Sequence, residues 1–341
     1  MRAFCTLFDK NYLYQAVALH RSLVRHAGDF RLYALCMDST AFAMIEKLRF
    51  GSLIPIHIDD LITQEVAAVR QRTTHGQFCW ACQPLICRYV LDKFGVDMVT
   101  YLESDSLFFS DPEVVFDEIG PRSASLSPHN YSAEFDNADI SGRFCTQFNA
   151  FRNDQAGRTI LAHWTASCFK YDKSAPRAYP GQTELDDWPD RFAGVAVIRH
   201  PGAGVAPWNI RGYRLDATGE TPTVNGAPVV FYHYHQYGRF KDGAHELGSY
   251  PLTREVVDCF YRPYVAAIRE AERAVRAVDA RFIFRREYAN DGTFGEVLRS
   301  FSVRRAAAYL HVIKRKLRGR YNVFPDAYFT ETPQRTPSSA R

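Results

Sequence analysis

An α/β fold, with a mostly parallel sheet flanked by helices and a C-terminal helical extension, is predicted by three observations. Apolar β-rich runs alternate with stretches of helical period through the first hundred residues, the order that builds parallel sheets. The most apolar run, MVTYLESDSLFF from Met98 to Phe109, stops on two acids at the point where a buried strand should end. At 341 residues, 46% of them apolar and 23% charged, the chain can bury a large core in one or two domains.

The elements follow in order. Arg2 to Phe8 is β-rich, and DKNY (Asp9 to Tyr12) reads as the turn after it. Gln15 to His26 carries Ala16, Leu19 and Leu23 at helical spacing. This strand-turn-helix opening has no G-x-G-x-x-G or P-loop glycines, so any phosphate must be held another way. Strands are expected at Phe30 to Met37 and Leu53 to Ile58, with helices at Thr40 to Phe50 and Asp60 to Arg72. Another helix, from about Trp80 to Phe94, is expected to begin near Pro84, since proline disrupts a helix interior. After the central run come strands at Ser123 to Ser127, Thr146 to Phe151, Val195 to Ile198 and Val229 to Tyr232, and a helix at Asp154 to Phe169. Tyr179 to Phe192 and RHPGAGVAPWNI are rich in turn residues and irregular. Thr253 to Val278 and Phe294 to about Leu317 have helical period, and a Pro/Ser/Thr-rich, unstructured tail is expected over 325–341.

Charge and cysteine usage narrow the class. The net charge of +4 conceals an asymmetry, because Val297 to Pro325 holds eight Lys or Arg and no acid. The acidic body, and basic residues without interleaved stacking aromatics, argue against nucleic-acid binding. The apolar runs are too short to span a bilayer, and eight scattered cysteines suit a reducing compartment, so a cytoplasmic protein with free thiols is expected. Cys79 and Cys82 (C-W-A-C), with His75 and Cys87 nearby, lack a second Cys pair for a closed zinc site and read as buried helix thiols.

Glu103 and Asp105 carry the first chemical hypothesis. On an extended chain they project to one side with Ser104 turned away, a spacing that suits a hard divalent cation. In open α/β sheets ligands lie beyond the carboxyl ends of the strands, where these acids emerge. A lone Glu-x-Asp is more often a solvated turn, so context decides.

That context resembles the nucleotide-sugar-dependent glycosyltransferases with a single Rossmann-like domain, and among them the retaining family 8 enzymes, over roughly residues 2–240. FCTLFDKNYL resembles the strand that holds nucleotide base and ribose, which implies donor contacts for Thr6, Phe8, Asp9 and Tyr12. CRYVLDK resembles the helix whose arginine, here Arg88, faces the diphosphate. YLESDSLFF stands where the family has its metal motif, implying Glu103 and Asp105 as ligands and Ser104 against the donor. QFNAFRND implies Asn149 at the donor sugar, and GQTELDDWPDRF implies Gln182 near the reacting carbon. APWNI implies Trp208 and Asn209 at the donor, and FYHYHQY implies a third metal ligand, His233, with His235 on the same face as the alternative. Two positions depart from the pattern: Glu103 replaces an aspartate, and Gly181 stands where an aspartate precedes the glutamine.

The resemblance implies a metal-dependent transferase taking a sugar, from a UDP-sugar by preference, to a saccharide or lipid-linked acceptor with retention, the departing phosphate accepting the acceptor's proton. A mixed carboxylate and imidazole set favours Mn²⁺ over Mg²⁺. Residues 1–250 would form the catalytic domain and 251–324 a helical extension. Within it, residues 294–320 form a basic amphipathic stretch suited to an anionic membrane surface, which implies a peripheral location on the inner face. The competing reading is a catalytically impaired nucleotide-binding relative. A sugar-1-phosphate nucleotidyltransferase would open with a Gly-rich, Arg-containing loop, which DKNYLYQ is not.

Overall fold

The computed structural model describes residues 1–172, 180–239, 243–282 and 322–330. The N-terminal half is built from β1 (Arg2–Phe8), α1 (Leu13–His26), β2 (Phe30–Cys36), α2 (Ser39–Leu48), β3 (Leu53–His57), α3 (Gln64–Arg72), α4 (His75–Phe94) and β4 (Met98–Leu102). These strands lie parallel in the order β3-β2-β1-β4. Side-chain alternation splits each strand between two cores. Phe4, Phe8, Leu32 and Ala34 face α1 and α2, whereas Cys5, Leu7, Tyr33 and Leu35 face α3 and α4.

The helix expected from Trp80 starts earlier, at His75, with Pro84 in its interior. Thr74 marks the early start, its side chain accepting from Gln77 N while Gln77 Oε1 accepts from Thr74 N, and burial of Phe78, Ala81, Cys82, Pro84 and Leu85 offsets the bond lost at the proline. The consequence for the site is that His75, Cys79 and Gln83 share a continuous helix.

At Leu102 the chain leaves the main sheet. A turn closed by Ser106 N donating to Glu103 O (3.2 Å) leads into β5 (Ser106–Phe108). After α5 (Glu113–Ile119) come β6 (Ala124–Pro128), α6 (Ala138–Ser141), β7 (Phe144–Cys145), β8 (Phe148–Arg152) and α7 (Gln155–Cys168). β8 pairs antiparallel with β4, and β6 with β8. Short helical turns α8 (Pro180–Thr183) and α9 (Trp188–Arg191) precede β9 (Val195–Val197), which joins β6 in parallel. β10 (Ala203–Val205) opens a second sheet, and a meander of β11 (Leu215–Asp216), β12 (Thr223–Val224) and β13 (Ala227–Pro228) follows. β14 (Phe231–His233) then lies between β10 and β5, with His233 opposite Ser106.

The C-terminal extension begins as one continuous helix: α10 (Arg254–Val256), a π-helical turn at Val257–Tyr261, and α11 (Arg262–Val278). The wide turn places Phe260 face to face with Tyr232, ring centroids 4.4 Å apart, and α11 packs on α1. A third small sheet joins β15 (Tyr237–Arg239), β16 (His245–Leu247) and β17 (Val323–Phe324). Beyond β17, where an unstructured tail was expected from residue 325, Asp326–Phe329 forms a helical turn with Phe329 buried. Asp326 accepts from Arg269 (2.8 Å) and contacts His245 Nε2 (2.9 Å), fixing this return to α11 and β16. A buried ring and the two partners of Asp326 hold this short return in packed structure. The basic stretch 294–320 and residues 331–341 lie outside the described residues. Among the described residues no helix is long and apolar enough to cross a membrane.

Candidate active site

The turn after β4 ends the extended run, so the two acids meet different partners, Glu103 with Gln83, Thr146 and Tyr101 and Asp105 with His233, while both line one cleft. The physical reason is the pairing of Ser106 with His233, which draws the chain out of the main sheet. Glu103 Oε1 accepts from Gln83 Nε2 (2.9 Å) and Thr146 Oγ1 (2.8 Å), and Oε2 from the Tyr101 hydroxyl (3.3 Å). Burial and the neighbouring Asp105 charge push its carboxyl up to about 7.

Asp105 Oδ1 lies 3.1 Å from His233 Nε2. The backbone reinforces the pair, since Tyr234 N donates to Asp105 O (2.8 Å). His233 Nδ1 faces Gln147 Oε1 at 3.1 Å. An amide oxygen only accepts, so Nδ1 carries a proton, and in the charged ring Nε2–H donates to the Asp105 carboxylate. Burial opposes charge on both partners, but their mutual attraction prevails: Asp105 is held below the usual carboxylate range and His233 well above the usual imidazole one. Gln147 is itself fixed by Ser127 Oγ (3.2 Å) and by Gly204, where φ is +92° and an added Cβ would lie 2.2 Å from Gln147 Nε2.

Among the described residues no group of three or more His, Cys, Asp and Glu side chains is arranged to hold a metal ion. The Asp105 and His233 pair nonetheless suits one. Two ligands each about 2.1 Å from an octahedral ion are roughly 3 Å apart, the separation seen, and Gln147 fixes the ring tautomer a ligand requires. Glu103 fits less well, because three protein donors already occupy its oxygens.

These groups line a cleft of about 770 Å³, within the usual range for small-molecule sites. One end is formed by Phe8, Asp9 and Tyr12 after β1 and by the first turns of α4. There His75 Nε2 contacts Asp9 Oδ2 at 3.3 Å, and Asn11 donates to the same carboxylate through backbone and side chain. The hydrogen bond to Asp9 and the contact with Cys79 raise His75 to about 10, while His75 and Asn11 hold Asp9 low against the effect of burial. His75 is 65% exposed, so water screens the pair. The other end is aromatic, with Tyr131, Trp208, His235 and Tyr250, and Gln182 reaches it through His129 Nε2 (3.4 Å).

The structure thus brings Phe8, Asp9, Tyr12, Glu103, Ser104, Asp105, Gln182, Trp208 and His233 to one cleft. Four expected residues stand elsewhere. Arg88 is exposed on α4 away from the lining, and no Lys or Arg occurs among the described lining residues. Thr6 is fully buried in β1. Asn149 is fully buried in β8, where its amide nitrogen donates to Phe148 O and Cys145 O. Asn209 spends its side chain on the backbone of Ala206, His129 and Gly204, so it braces the wall rather than meeting a ligand. Sequence reasoning missed Gln147, Cys145 and His129. Cys145 is buried, which opposes ionisation, but His129 and His233 outweigh this and bring its thiol down to about 6. His129 directly follows β6, and the same end-of-strand rule that singled out Glu103 points to it.

No protein-family profile matches the chain. Two proteins of Bacillus subtilis (strain 168), each named only as an uncharacterized protein, are similar to it. YfnD is 24% identical over 274 residues, covering 78% of this chain and 88% of its own, and YfnF is 29% identical over 246 residues, covering 69% and 81%. Among solved structures, the galactosyltransferase LgtC in complex with donor and acceptor sugar analogs aligns with 85% of this chain and all of its own at 15% identity and a TM-score of 0.49. The apo glycosyltransferase GlyE of Streptococcus pneumoniae TIGR4 aligns with 81% of this chain and 62% of its own at 15% identity and a TM-score of 0.48. At these values the likeness carries no functional argument, which rests on the cleft itself.

Proposed function

We propose that the protein is a metal-dependent glycosyltransferase that moves a sugar from a nucleoside diphosphate sugar, by preference a UDP-sugar, to a saccharide-bearing acceptor with retention at the anomeric carbon. The observation that carries this reading is the Asp105 and His233 pair, with its tautomer set by Gln147, in a cleft large enough for a nucleotide and a sugar. Cleaving the anomeric bond leaves charge on a diphosphate, and the described lining offers no Lys or Arg to neutralise it. Asp105 and His233 would hold a divalent cation, Mn²⁺ in preference to Mg²⁺, which when bound supplies Lewis-acid stabilisation of that charge. Asp9 and Tyr12 would orient the nucleotide, and Gln182 the sugar. The basic stretch at 294–320 supports a peripheral location on an anionic leaflet, where a lipid-linked acceptor would be met.

The exposed position of Arg88 and the three protein donors on the Glu103 carboxylate favour one second reading, a protein that binds the nucleotide-sugar without turning it over. A screen of nucleotide-sugars for Mn²⁺-dependent release of nucleoside diphosphate separates the two. Release that stops in excess chelator supports transfer; binding without release supports the second reading; neither binding nor release removes both.

A further inference from the structure

We propose that the aromatic wall of the cleft seats the acceptor, and that the acceptor presents a neutral pyranose ring there rather than a phosphorylated headgroup. The inference deepens the transferase reading and rests on it for the word acceptor; the site itself stands on geometry.

A path of contacts orders the cleft. Asp9 meets His75 at the start of α4, and Gln83 two turns along that helix meets Glu103. The turn then delivers Asp105 to His233, whose ring lies edge-on to Trp208 with centroids 5.2 Å apart. The aromatic end therefore begins where the nucleotide end stops, with the proposed cation pair between them.

The aromatic end has the chemistry of a sugar subsite. Tyr131 and Tyr250 are half-buried, and each packs about Trp208 at 6.4 Å. Ring faces attract the weakly positive C–H face of a pyranose through the aromatic quadrupole. Uncharged hydrogen-bonding groups, Asn137 and Ser141, line the same cleft, with Asn137 Nδ2 donating to Ser141 Oγ (2.8 Å), and can meet hydroxyls. A phosphate in the same place would find no Lys or Arg among the described lining residues. The wall is also rigidly built. Trp208 Nε1 donates to His129 O (2.8 Å), and Ser132 donates through both N and Oγ to Trp208 O. The loop after His235 carries Gln236 at φ of +65°, a conformation that persists only where the surroundings impose it.

The test is direct binding without donor, by saturation-transfer NMR on the full chain. Probes are methyl glucoside, galactoside and mannoside, the phosphate monoesters of the same sugars, and dodecyl phosphate. At least one neutral glycoside is expected to bind more tightly than any phosphate probe. Tyr250→Leu and Tyr131→Leu, which keep apolar bulk but lose the π face, should weaken that binding at least about tenfold, while Tyr250→Phe should stay within about twofold. Thermal unfolding checks the fold of each variant; if Tyr131→Leu fails it, the Tyr250 pair decides alone. The proposal is overturned by unchanged glycoside binding in the Leu variants, by no glycoside binding to wild type, or by stronger binding of the phosphate probes. Glycoside binding in a protein that releases no nucleoside diphosphate would remove the transferase reading and leave the sugar subsite standing.

Discussion

His233 touches Asp105 through one ring nitrogen and Gln147 through the other, each at 3.1 Å, so the imidazole is clamped between a charge and a tautomer-fixing amide. Removing either clamp should act on metal binding rather than on the fold. Asp105→Asn is expected to lower Mn²⁺-dependent turnover by at least about a hundredfold, and Gln147→Leu to weaken metal affinity about 10- to 100-fold. Titration of Mn²⁺ against each purified variant, with circular dichroism as a fold control, reads both effects; wild-type affinity in Gln147→Leu would show that the amide fixes nothing.

The neighbouring acid should behave differently. Glu103, pushed up to about 7, is partly protonated at neutral pH and already holds three donors. Glu103→Gln is therefore expected to cost turnover less than about tenfold, far less than Asp105→Asn. Equal losses in the two variants would make Glu103 a metal ligand on a par with Asp105.

Gly204 offers a test from outside the cleft. Its φ of +92° disfavours any side chain, and a Cβ there would collide with the Gln147 amide. Gly204→Ala should destabilise the protein by roughly 1 to 3 kcal/mol and also weaken Mn²⁺ binding by displacing Gln147 from His233. Chemical denaturation and metal titration of the same variant check the two effects, and a loss of stability with unchanged Mn²⁺ affinity would uncouple them.

Stability should fall on acidification through two histidines outside the cleft lining, His20 and His245. Burial holds both His20 and His245 at about 4, against about 6.5 in an unfolded chain. Their neutral rings are used: His20 Nε2 meets Ser52 Oγ (2.8 Å), and His245 lies between the Tyr237 hydroxyl (2.7 Å) and Asp326. Because the folded value is the lower one, the unfolded chain binds more protons as pH drops. The contribution is complete above about 6.5 and is lost as pH falls toward about 4, by up to roughly 3 kcal/mol per histidine. Urea unfolding at pH 7.5 and 4.5 should show this slope, and His20→Gln should flatten it; an identical slope in that variant would exclude His20.

The membrane proposal needs charge neutralisation rather than truncation. Cutting near residue 289 would also remove β17, the buried Phe329 and the Asp326 contacts that pin α11, and so would damage the body. Lys314→Gln, Arg315→Gln and Lys316→Gln together should leave unfolding unchanged and weaken binding to anionic vesicles by up to about 3 kcal/mol, from about 1 kcal/mol per charge. Unaltered vesicle binding, or none by wild type at low salt, would assign that stretch to the fold.

Much of the fold was legible because it is written in local periodicity. The strands β1 to β4 and the helices α1 to α3 match the sequence pattern to within a few residues, since each must bury two faces or one. The cleft lining was legible at strand ends, as at Asp9, Asp105 and His233, and through the resemblance at Tyr12, Gln182 and Trp208. What escaped depends on contacts between distant segments. The partner of Asp105 is set by the pairing of Ser106 with His233, the inward turn of Asn209 by three backbone partners, and the role of Gln147 by a ring contributed from another sheet. None of these leaves a period in the sequence. The outward position of Arg88 follows from the phase of α4, which buries Leu85, Ile86, Cys87, Val90 and Leu91 and leaves Arg88 exposed.

The crossing of the chain from one sheet to the other at Leu102 also bears on the order in which the protein assembles. β5 cannot pair until β14, well over a hundred residues further along, has been made and has found it. During synthesis the parallel sheet can collapse around α1 to α4 long before His233 leaves the ribosome, but Asp105 has no partner until then. An ion that needs both residues therefore recognises only the finished chain. Mn²⁺ added during refolding should slow unfolding more than it speeds folding, making the cleft the last contact to close and the first to open.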